Sequence, residues 1–446
     1  MSSRVNLRLL LVALFIGLSS VTAFAEPVRE VADPAKPPQN WIATADTKLG
    51  VSANPGATDA TPGTGTVGRM IQDWLGAGKD TGVWFGGLWI GDANFLISGG
   101  AQPGKCTLNS LVILGLRLDA EKLGGWKGGK FGAEFLQFNG SPTNDQAGSV
   151  QGYNSLPGPE PLNRSELYQL WWRQSLFDDK FTFRIGKVVP TYDFNNVQRP
   201  VPAQDESLQI PAVSGLIFTP IFINPTLLGA MPGYYNSAYG ITATFAPTKQ
   251  VYFSYGFYDG NLAKGTQTGM RGPQFNGYYF QVGEMGAAWT LAGLPGSAGL
   301  GGWRQTGLLA GPGVTENGAV GFYLFGSQRL WRMRPHIDNS GISIYVHGGA
   351  NNSKTLPVNQ YVGGGLTGFA LLPGRPNDSC GIGVASSWLN QNIFQRSSEV
   401  MIQSYYQMNL IGSTYLQPVV SYIPTPGSAP KLDSAWAVTL RFIALF

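Results

Sequence analysis

The C-terminal segment SAWAVTLRFIALF, residues 434–446, constrains the fold most strongly, because its side chains alternate in character up to the last residue. One face carries Phe446, Ala444, Phe442, Leu440, Val438 and Trp436, and the other carries Leu445, Ile443, Arg441, Thr439 and Ala437. The first face suits lipid and the second suits a lumen, which is typical of the closing strand of an outer-membrane β-barrel. A half-buried strand of a soluble sandwich has the same period, so this segment alone leaves both folds open.

The N-terminus separates these two possibilities. Arg4 and Arg8 precede an apolar run over residues 9–18, and Ala-Phe-Ala at 23–25 is a small-residue cleavage pattern. Residues 1–25 are therefore predicted to be a secretory signal peptide, with the mature chain beginning near Glu26. Beyond this segment the sequence has no apolar run of the roughly 18 residues that a spanning helix requires. We expect the protein to act outside the cytoplasm and outside the inner membrane.

Composition favours a barrel. Charged residues make up 13% of the chain, against about 25% in an average protein. Aromatic residues reach 12%, and 61 of the 446 residues are Gly. A soluble protein with so little charge would tend to aggregate, whereas a barrel presents lipid with an uncharged band flanked by aromatic rings. The formal charge of +4 falls to +2 without Arg4 and Arg8, which excludes a strong field for nucleic acid.

Residues 26–80 are rich in Pro, Ala, Thr and Gly and show little periodicity before VGRMIQDWLGA at 67–77. We interpret this region as a periplasmic N-terminal leader whose one possible amphipathic helix plugs or caps the barrel floor. Plain disorder of the same region is an equally open alternative.

From residue 82 onward, strand-like segments recur. Sixteen are predicted: 82–97, 106–119, 130–139, 166–177, 180–189, 237–246, 249–258, 278–291, 300–310, 318–331, 340–350, 359–371, 380–389, 398–409, 414–424 and 434–446. Short turns are expected at 176–181, 246–249, 291–299, 333–340, 372–379 and 410–414. The predicted fold class is an all-β, antiparallel transmembrane barrel of about 16 strands over residues 81–446.

Strand parity makes residues 189–236 the third outer loop. A barrel of about 16 strands encloses a lumen wider than its own side chains fill, so we expect this long loop to fold inward and narrow it.

Catalytic and cofactor motifs are missing from the sequence. His336 and His347 have no Cys or carboxylate spacing around them that resembles a metal site. Residues 295–299 lack the first Gly of a nucleophile elbow, and the Gly-rich run at 124–132 lacks the Lys-Ser/Thr ending of a phosphate loop. We predict neither an enzyme nor a bound cofactor.

Cys106 and Cys380 are the only cysteines, and the sequence leaves open whether they form a disulfide.

Alternation predicts several lumenal side chains. In 180–189, Arg184 falls on the face opposite Phe181, Phe183 and Ile185, so it points inward. The same rule places Trp171 and Arg173 side by side on the inner face of the preceding strand, and Glu134 on the inner face of the strand before that. An aromatic ring beside guanidinium and carboxylate groups suits sugars. Alternatively, Glu134, Arg173 and Arg184 pair only with one another and stabilise the wall.

Three stretches resemble the OprB-type carbohydrate-selective porins: KLGGWKGGKFGAEFLQFNG at 122–140, RSELYQLWWRQSLFDDKFTFRIGKVVPTYDFNNVQRP at 164–200, and YLQPVVSYIPTPG at 415–427. The resemblance implies a sixteen-stranded barrel that passes glucose-like monosaccharides by facilitated diffusion through an eyelet of arginine, acidic and aromatic side chains. The candidates for sugar binding are Glu134, Trp171, Arg173, Arg184, Asp193, Asn195, Asn196 and Arg199.

Other readings stay open at this point. The rest of the loop, 210–235, is strongly apolar, and it could pack on the barrel wall, contact another subunit or line the pore. A general or weakly anion-preferring porin is the main alternative function, because Arg173 and Arg184 also favour anions. An enzyme or an adhesin that uses the barrel as an anchor is disfavoured by the missing catalytic motifs and the lack of a large outer domain.

Expected partners are small sugars, outer-membrane lipid, the barrel-assembly machinery that reads the strand ending in Phe446, and a second copy of the chain, but not nucleic acid.

Overall fold

The computed structural model describes residues 81–157, 162–195, 197, 215–232, 236–264, 271–335 and 340–445. Sixteen antiparallel strands form one closed barrel in which each strand pairs with the next and the first pairs with the last. The predicted fold class is thus confirmed. The predicted signal peptide, the leader with its possible helix, His336, Asn196, Arg199 and Phe446 lie outside the described residues.

The strands are β1 (Val83–Ser98), β2 (Cys106–Asp119), β3 (Gly129–Asn139), β4 (Asn163–Leu176), β5 (Phe181–Val188), β6 (Ala238–Phe245), β7 (Val251–Asp259), β8 (Tyr279–Leu291), β9 (Leu294–Gly311), β10 (Val314–Arg332), β11 (Gly341–Asn351), β12 (Val358–Phe369), β13 (Ser379–Leu389), β14 (Ser398–Ile411), β15 (Thr414–Ile423) and β16 (Ala435–Leu445). Two short α-helices, α1 (Ala120–Gly124) and α2 (Thr143–Ala147), lie between strands. Three-residue or four-residue 3-10 turns are Pro190–Tyr192, Thr219–Ile221, Pro225–Leu227 and Asn261–Lys264. Every helix that the structure describes falls short of the length and hydrophobicity that crossing a bilayer requires.

The links after even-numbered strands form one end of the barrel, the turn end, and the links after odd-numbered strands form the loop end. The two longest links both lie at the loop end: loop 2, residues 140–162, joins β3 to β4, and loop 3, residues 189–237, joins β5 to β6. Loop 3 occupies the position that parity predicts.

The predicted turn at 291–299 is too long. The turn consists of residues 292–293, and β9 already begins at Leu294. At the loop end, β9 and β10 are joined through residues 312–313, so the loop-end links are not uniformly longer than the turns.

Aromatic rings on β10 explain why a glycine-rich stretch is a strand here. A Cβ on Gly299 would lie 2.4 Å from the ring of Phe325, and a Cβ on Gly301 would lie 2.3 Å from the ring of Tyr323. Gly299, at the end of the predicted turn, and Gly301, in the predicted strand, therefore provide space for two large neighbours inside the barrel.

Side chains alternate between the two barrel surfaces as predicted. In β16, Trp436 and Leu440 are exposed on the outside, whereas Thr439 and Arg441 are buried on the inside. Exposed aromatic side chains on the described strands include Trp89, Phe95, Phe135, Phe253, Tyr255, Trp289, Phe322, Trp331, Trp388 and Trp436. Such a surface matches the aromatic and apolar exterior of a barrel in lipid.

A buried ion pair links the first and last strands. Asp92 of β1 and Arg441 of β16 are register partners, and their side chains meet through two contacts of 2.8 and 2.7 Å with no exposure to solvent. Asn154 of loop 2 donates to Asp92 at 2.8 Å, and Thr439 donates to Asn94 at 2.7 Å beside it. The inward arginine of the closing strand therefore stabilises the junction between β1 and β16, at which the barrel closes.

Replacement of Arg441 by Met should destabilise the barrel, because it leaves the Asp92 carboxylate buried without its cation. Losing one member of a buried pair costs about 3–5 kcal/mol. We expect a lower urea midpoint for unfolding from lipid vesicles and loss of the folded band at lower temperature in gel-shift assays. Arg304→Met, which removes an exposed arginine of β9, is the matched control. Asp92→Leu combined with Arg441→Met should recover part of the loss, and equal stability of Arg441→Met and the native chain would refute the role of the pair.

Candidate functional site

Five inward side chains on the adjacent strands β2 to β5 form what we term the wall cluster: Arg117, Glu134, Trp171, Arg173 and Arg184. Glu134 accepts hydrogen bonds from Arg117, at 3.3 Å, and from Gln169. Arg173 and Arg184 are register partners on β4 and β5. The four wall residues predicted from the sequence therefore all lie on the inner surface, and Arg117 joins them.

Trp171 supports Arg184. The guanidinium carbon of Arg184 lies 5.7 Å from the centre of the Trp171 ring, within the range of a cation–π contact. The ring also lies over Gly132 of β3, where a Cβ would come within 2.2 Å of it. Trp171 is 2% exposed. The predicted sugar-stacking role needs an uncovered ring face, which this arrangement does not provide, so the ring positions the guanidinium instead.

The first turn of loop 3 supplies a counter-charge to the wall cluster. Asp193 follows the 3-10 turn Pro190–Tyr192, and its carboxylate pairs with Arg184 and accepts a hydrogen bond from Thr242 at 2.8 Å. Like charges directly opposite each other destabilise a sheet, as Arg173 and Arg184 would without an anion nearby. Asp193 thus joins the beginning of the loop to the wall.

Asn195 lies two residues further along and is held by a different strand. Its backbone has φ of 53°, in the left-handed region that Asn tolerates better than most residues. Its amide nitrogen donates to Glu284 of β8 at 2.7 Å, and its side-chain oxygen accepts from the backbone of Asn224 at 3.1 Å. Tyr252 and Tyr323 also donate to Glu284, at 2.6 and 2.7 Å. Loop 3 is therefore anchored at both Arg184 and Glu284.

The described part of the apolar segment, residues 215–232, packs on the inner wall. Its large side chains are buried, and the backbone amides of Ile217 and Phe218 both donate to Gln403 of β14, at 2.7 and 3.0 Å. In the order of strands around the barrel, β14 is remote from β5 and β6, which the loop connects. Of the three possibilities left open by the sequence, these contacts favour packing against the wall.

Loop 2 is bound to the same part of the wall through a buried carboxylate. Glu399 of β14 accepts hydrogen bonds from the Ser149 hydroxyl at 2.8 Å and from the backbone amides of Val150 and Gln151 at 2.9 and 3.0 Å. It also accepts from the amide of Gly427, between β15 and β16, at 2.7 Å. The Glu399 side chain therefore anchors both loop 2 and the link between β15 and β16 at the loop end of the barrel.

Loops 2 and 3 contact each other directly. The Ser155 amide donates to the Ile217 carbonyl at 2.8 Å, and the Thr219 amide donates to the Gly152 carbonyl at 2.9 Å. The two loops therefore form one connected layer. No local pattern in loop 2 predicts this role, although alternation marks Glu399 and Glu284 as inward acids that require partners.

The two cysteines and His347 lie on three different strands. Cys106 and Cys380 are free thiols on β2 and β13, which are not neighbours in the barrel. His347 lies inside the wall with its Nε2 atom 2.7 Å from the Tyr361 hydroxyl. Among the residues that the structure describes, no group of three or more His, Cys, Asp or Glu side chains could hold a metal ion.

Comparison with known proteins gives a consistent result. The model of the family described as "Carbohydrate-selective porin, OprB family" matches residues 111–446, which include the wall cluster and both loops. Porin B of Pseudomonas aeruginosa is 22% identical over 435 residues, covering 84% of this chain and 91% of that protein. The high-pH structure of Pseudomonas putida OprB matches with a TM-score of 0.72 and 18% identity, over 89% of this chain and 99% of that one. The low-pH structure matches with a TM-score of 0.55 and 16% identity, over 86% and 97%. The two solved structures share the fold of this chain.

Replacement of Asp193 by Asn should alter ion selectivity, because it removes the anion that neutralises Arg184. We expect the chloride-to-potassium permeability ratio to rise severalfold in planar bilayers, since one more net positive charge then lies in the lumen. Asp178→Asn, which removes an exposed carboxylate at the turn end, is the matched control and should leave the ratio unchanged. An unchanged ratio in Asp193→Asn would contradict the assigned position of this pair in the ion path.

Replacement of Glu399 by Ala should release loop 2, because four hydrogen bonds end on its carboxylate. We expect faster cleavage of loop 2 by a protease added to the folded barrel and a larger single-channel conductance. Glu121→Ala, in exposed α1 at the opposite end, controls for the loss of a carboxylate. Identical cleavage rates for the Glu399 variant and the native chain would count against the anchor.

Proposed function

We propose, from the premise that this chain belongs to the OprB family of carbohydrate-selective porins, that it passes neutral, glucose-like monosaccharides by facilitated diffusion. The chain is a channel of the bacterial outer membrane. In this proposal the sugar crosses a constriction made of the wall cluster together with Asp193, Asn195 and Glu284. Asn196 and Arg199 follow directly in the sequence, and we propose that they contribute from the loop side.

The observation that carries the proposal is a set of unused hydrogen-bond donors. Trp171 Nε1, Arg184 Nε and Asn195 Nδ2 are buried, and within the described part of the chain they have no hydrogen-bond partner. Buried donors are almost always satisfied in proteins, so these three donors are available to an acceptor that reaches them when the side chains covering them move. Sugar hydroxyl groups are suitable acceptors, because each can accept from N–H groups and donate to a nearby carboxylate.

The charges at the constriction favour a neutral solute. Among the described residues of the constriction, Arg117, Arg173 and Arg184 are balanced by Glu134, Asp193 and Glu284, three formal positive charges against three negative ones, and Arg199 adds one positive charge from the loop side. A balanced set attracts neither cations nor anions strongly, but its fixed polar groups can replace part of the hydration shell of a sugar. The binding has to stay weak, because release must keep pace with entry.

Roles within the constriction follow from these contacts. Arg184 donates to the sugar, and Trp171 and Asp193 hold its guanidinium in place from two sides. Glu134 and Arg173 present polar groups from the neighbouring strands. Trp171 contributes through its indole N–H rather than through its ring face.

We propose two partners besides the sugar. The closing strand, β16, which carries the inward Arg441, is the segment that the barrel-assembly machinery would recognise. The exposed aromatic and apolar exterior is compatible with a second copy of the chain as well as with lipid.

Replacement of Arg184 by Lys tests the sugar function, because Lys keeps the charge but loses the Nε donor and the planar fork. In vesicles containing the native chain, we expect the initial rate of glucose uptake to saturate with concentration. In Arg184→Lys, the half-saturating concentration should rise severalfold while the ion conductance changes little. Arg304→Lys on the exposed surface is the matched control. Glucose uptake that rises linearly without saturation, together with strong chloride preference, would favour the weakly anion-preferring diffusion porin.

A further inference from the structure

A cavity of about 360 Å³, which we term the mouth cavity, lies at the loop end of the barrel, between loops 2 and 3. Described residues between Pro142 and Leu162 line it from loop 2, described residues between Thr219 and Asn236 line it from loop 3, and Leu262 lines it from the link between β7 and β8. No member of the wall cluster contributes to its lining. Its volume falls within the roughly 300–1,000 Å³ of pockets that hold small molecules.

The lining of this mouth cavity combines aliphatic and neutral polar groups. Its aliphatic side chains are Val150, Leu162, Ile223, Leu228, Met231 and Leu262. Its polar side chains are Asn144, Ser149 and Gln151, which form hydrogen bonds within the protein, together with Asp145, Thr219 and Asn236. A sugar offers the same combination, with C–H groups that pack on aliphatic surface and hydroxyl groups that form hydrogen bonds.

Charge narrows the class of ligand. None of the described residues that line the mouth cavity is Lys, Arg or His, and Asp145 carries the one formal charge among them. A phosphorylated or carboxylated ligand would meet this carboxylate without a compensating cation, which disfavours anions. Asp145 is exposed in the middle of the short helix α2, so its carboxylate can accept hydrogen bonds from a neutral polyol.

The walls of the mouth cavity are held in place before any ligand arrives. On the loop 2 side, the Asn144 side chain exchanges two hydrogen bonds with the Asn154 backbone, at 2.8 and 3.1 Å. Gln151 accepts from the Ser387 hydroxyl at 2.8 Å, which ties the loop to β13. The direct contact of Gly152 with Thr219 joins the two sides. A preformed site loses less conformational entropy on binding than a flexible one.

We propose that the mouth cavity is a second carbohydrate subsite, which holds a neutral monosaccharide before it enters the constriction. This inference rests on the proposed function and extends it from one site to two. Two weak sites in series allow a second sugar molecule to occupy the mouth while the first crosses the constriction, so capture and release need not compete at a single site.

Two variants of the full-length barrel in detergent test the subsite, with glucose as the probe and ligand-detected NMR as the readout. Met231→Trp places a large ring in the cavity and should reduce glucose binding there below detection. Asp145→Ala, at an exposed position that leaves packing intact, should weaken binding about tenfold, the loss expected for one hydrogen bond to a charged group. Leu123→Trp and Asp178→Ala, both exposed at the turn end, are the matched controls. Glucose 6-phosphate should bind at least tenfold more weakly than glucose.

The results separate this proposal from the proposed function. A partial loss of glucose binding in Met231→Trp and in Asp145→Ala, each of which adds to the loss seen in Arg184→Lys alone, supports a subsite distinct from the constriction. Unchanged binding in both cavity variants, or equal binding of glucose 6-phosphate, would overturn the subsite, even if glucose uptake saturates as proposed. Conversely, non-saturating uptake alongside binding that depends on Met231 would overturn the constriction and keep the subsite.

Discussion

Closure of the hydrogen-bonded sheet is the constraint on which the rest of this structure depends. In lipid every backbone N–H and C=O group must find a partner within the protein, so β1 has to pair with β16. The buried pair of Asp92 and Arg441 lies at this junction and fixes its register, since a shift by one residue would turn Arg441 toward lipid. Once the sheet is closed, every second side chain faces an enclosed space in which charges need partners.

The enclosed space is narrowed by chain segments that fit the wall closely. A Cβ on Gly383 of β13 would lie 2.3 Å from Leu216, and a Cβ on Gly349 of β11 would lie 2.9 Å from Thr226. Both glycines face loop 3, so the absence of side chains on the wall makes room for one apolar side chain of the loop, Leu216, and one polar side chain, Thr226. This explains how a strongly apolar segment can belong to a water-filled channel. The wall covers the apolar surface of the segment, while Asp193 and Asn195, at the beginning of loop 3, contact Arg184 and Glu284.

Period-two alternation was sufficient to predict the sixteen strands and the inward direction of Glu134, Trp171, Arg173 and Arg184, because both follow from the pleat of a single strand. Alternation does not predict the structure where contacts between residues far apart in sequence determine it. The turn predicted at 291–299 is mostly strand, because side chains of β10 occupy the space over two of its glycines, Gln328 over Gly296 and Phe325 over Gly299. Docking of loop 2 on Glu399 and the covering of Trp171 by Arg184 depend on residues far apart in sequence, and no local pattern encodes them.

The contacts of Arg184 show how one residue can serve both wall stability and permeation. Its Nη2 atom is occupied by Asp193 and its guanidinium plane by Trp171, so its charge is compensated and its orientation is fixed. Its Nε atom is left without a partner among the described residues. The two interpretations of the wall charges, pairing for stability or contact with solute, are therefore compatible. Pairing neutralises the group and holds it still, and a fixed, neutralised donor discriminates by hydrogen-bond geometry instead of by net charge.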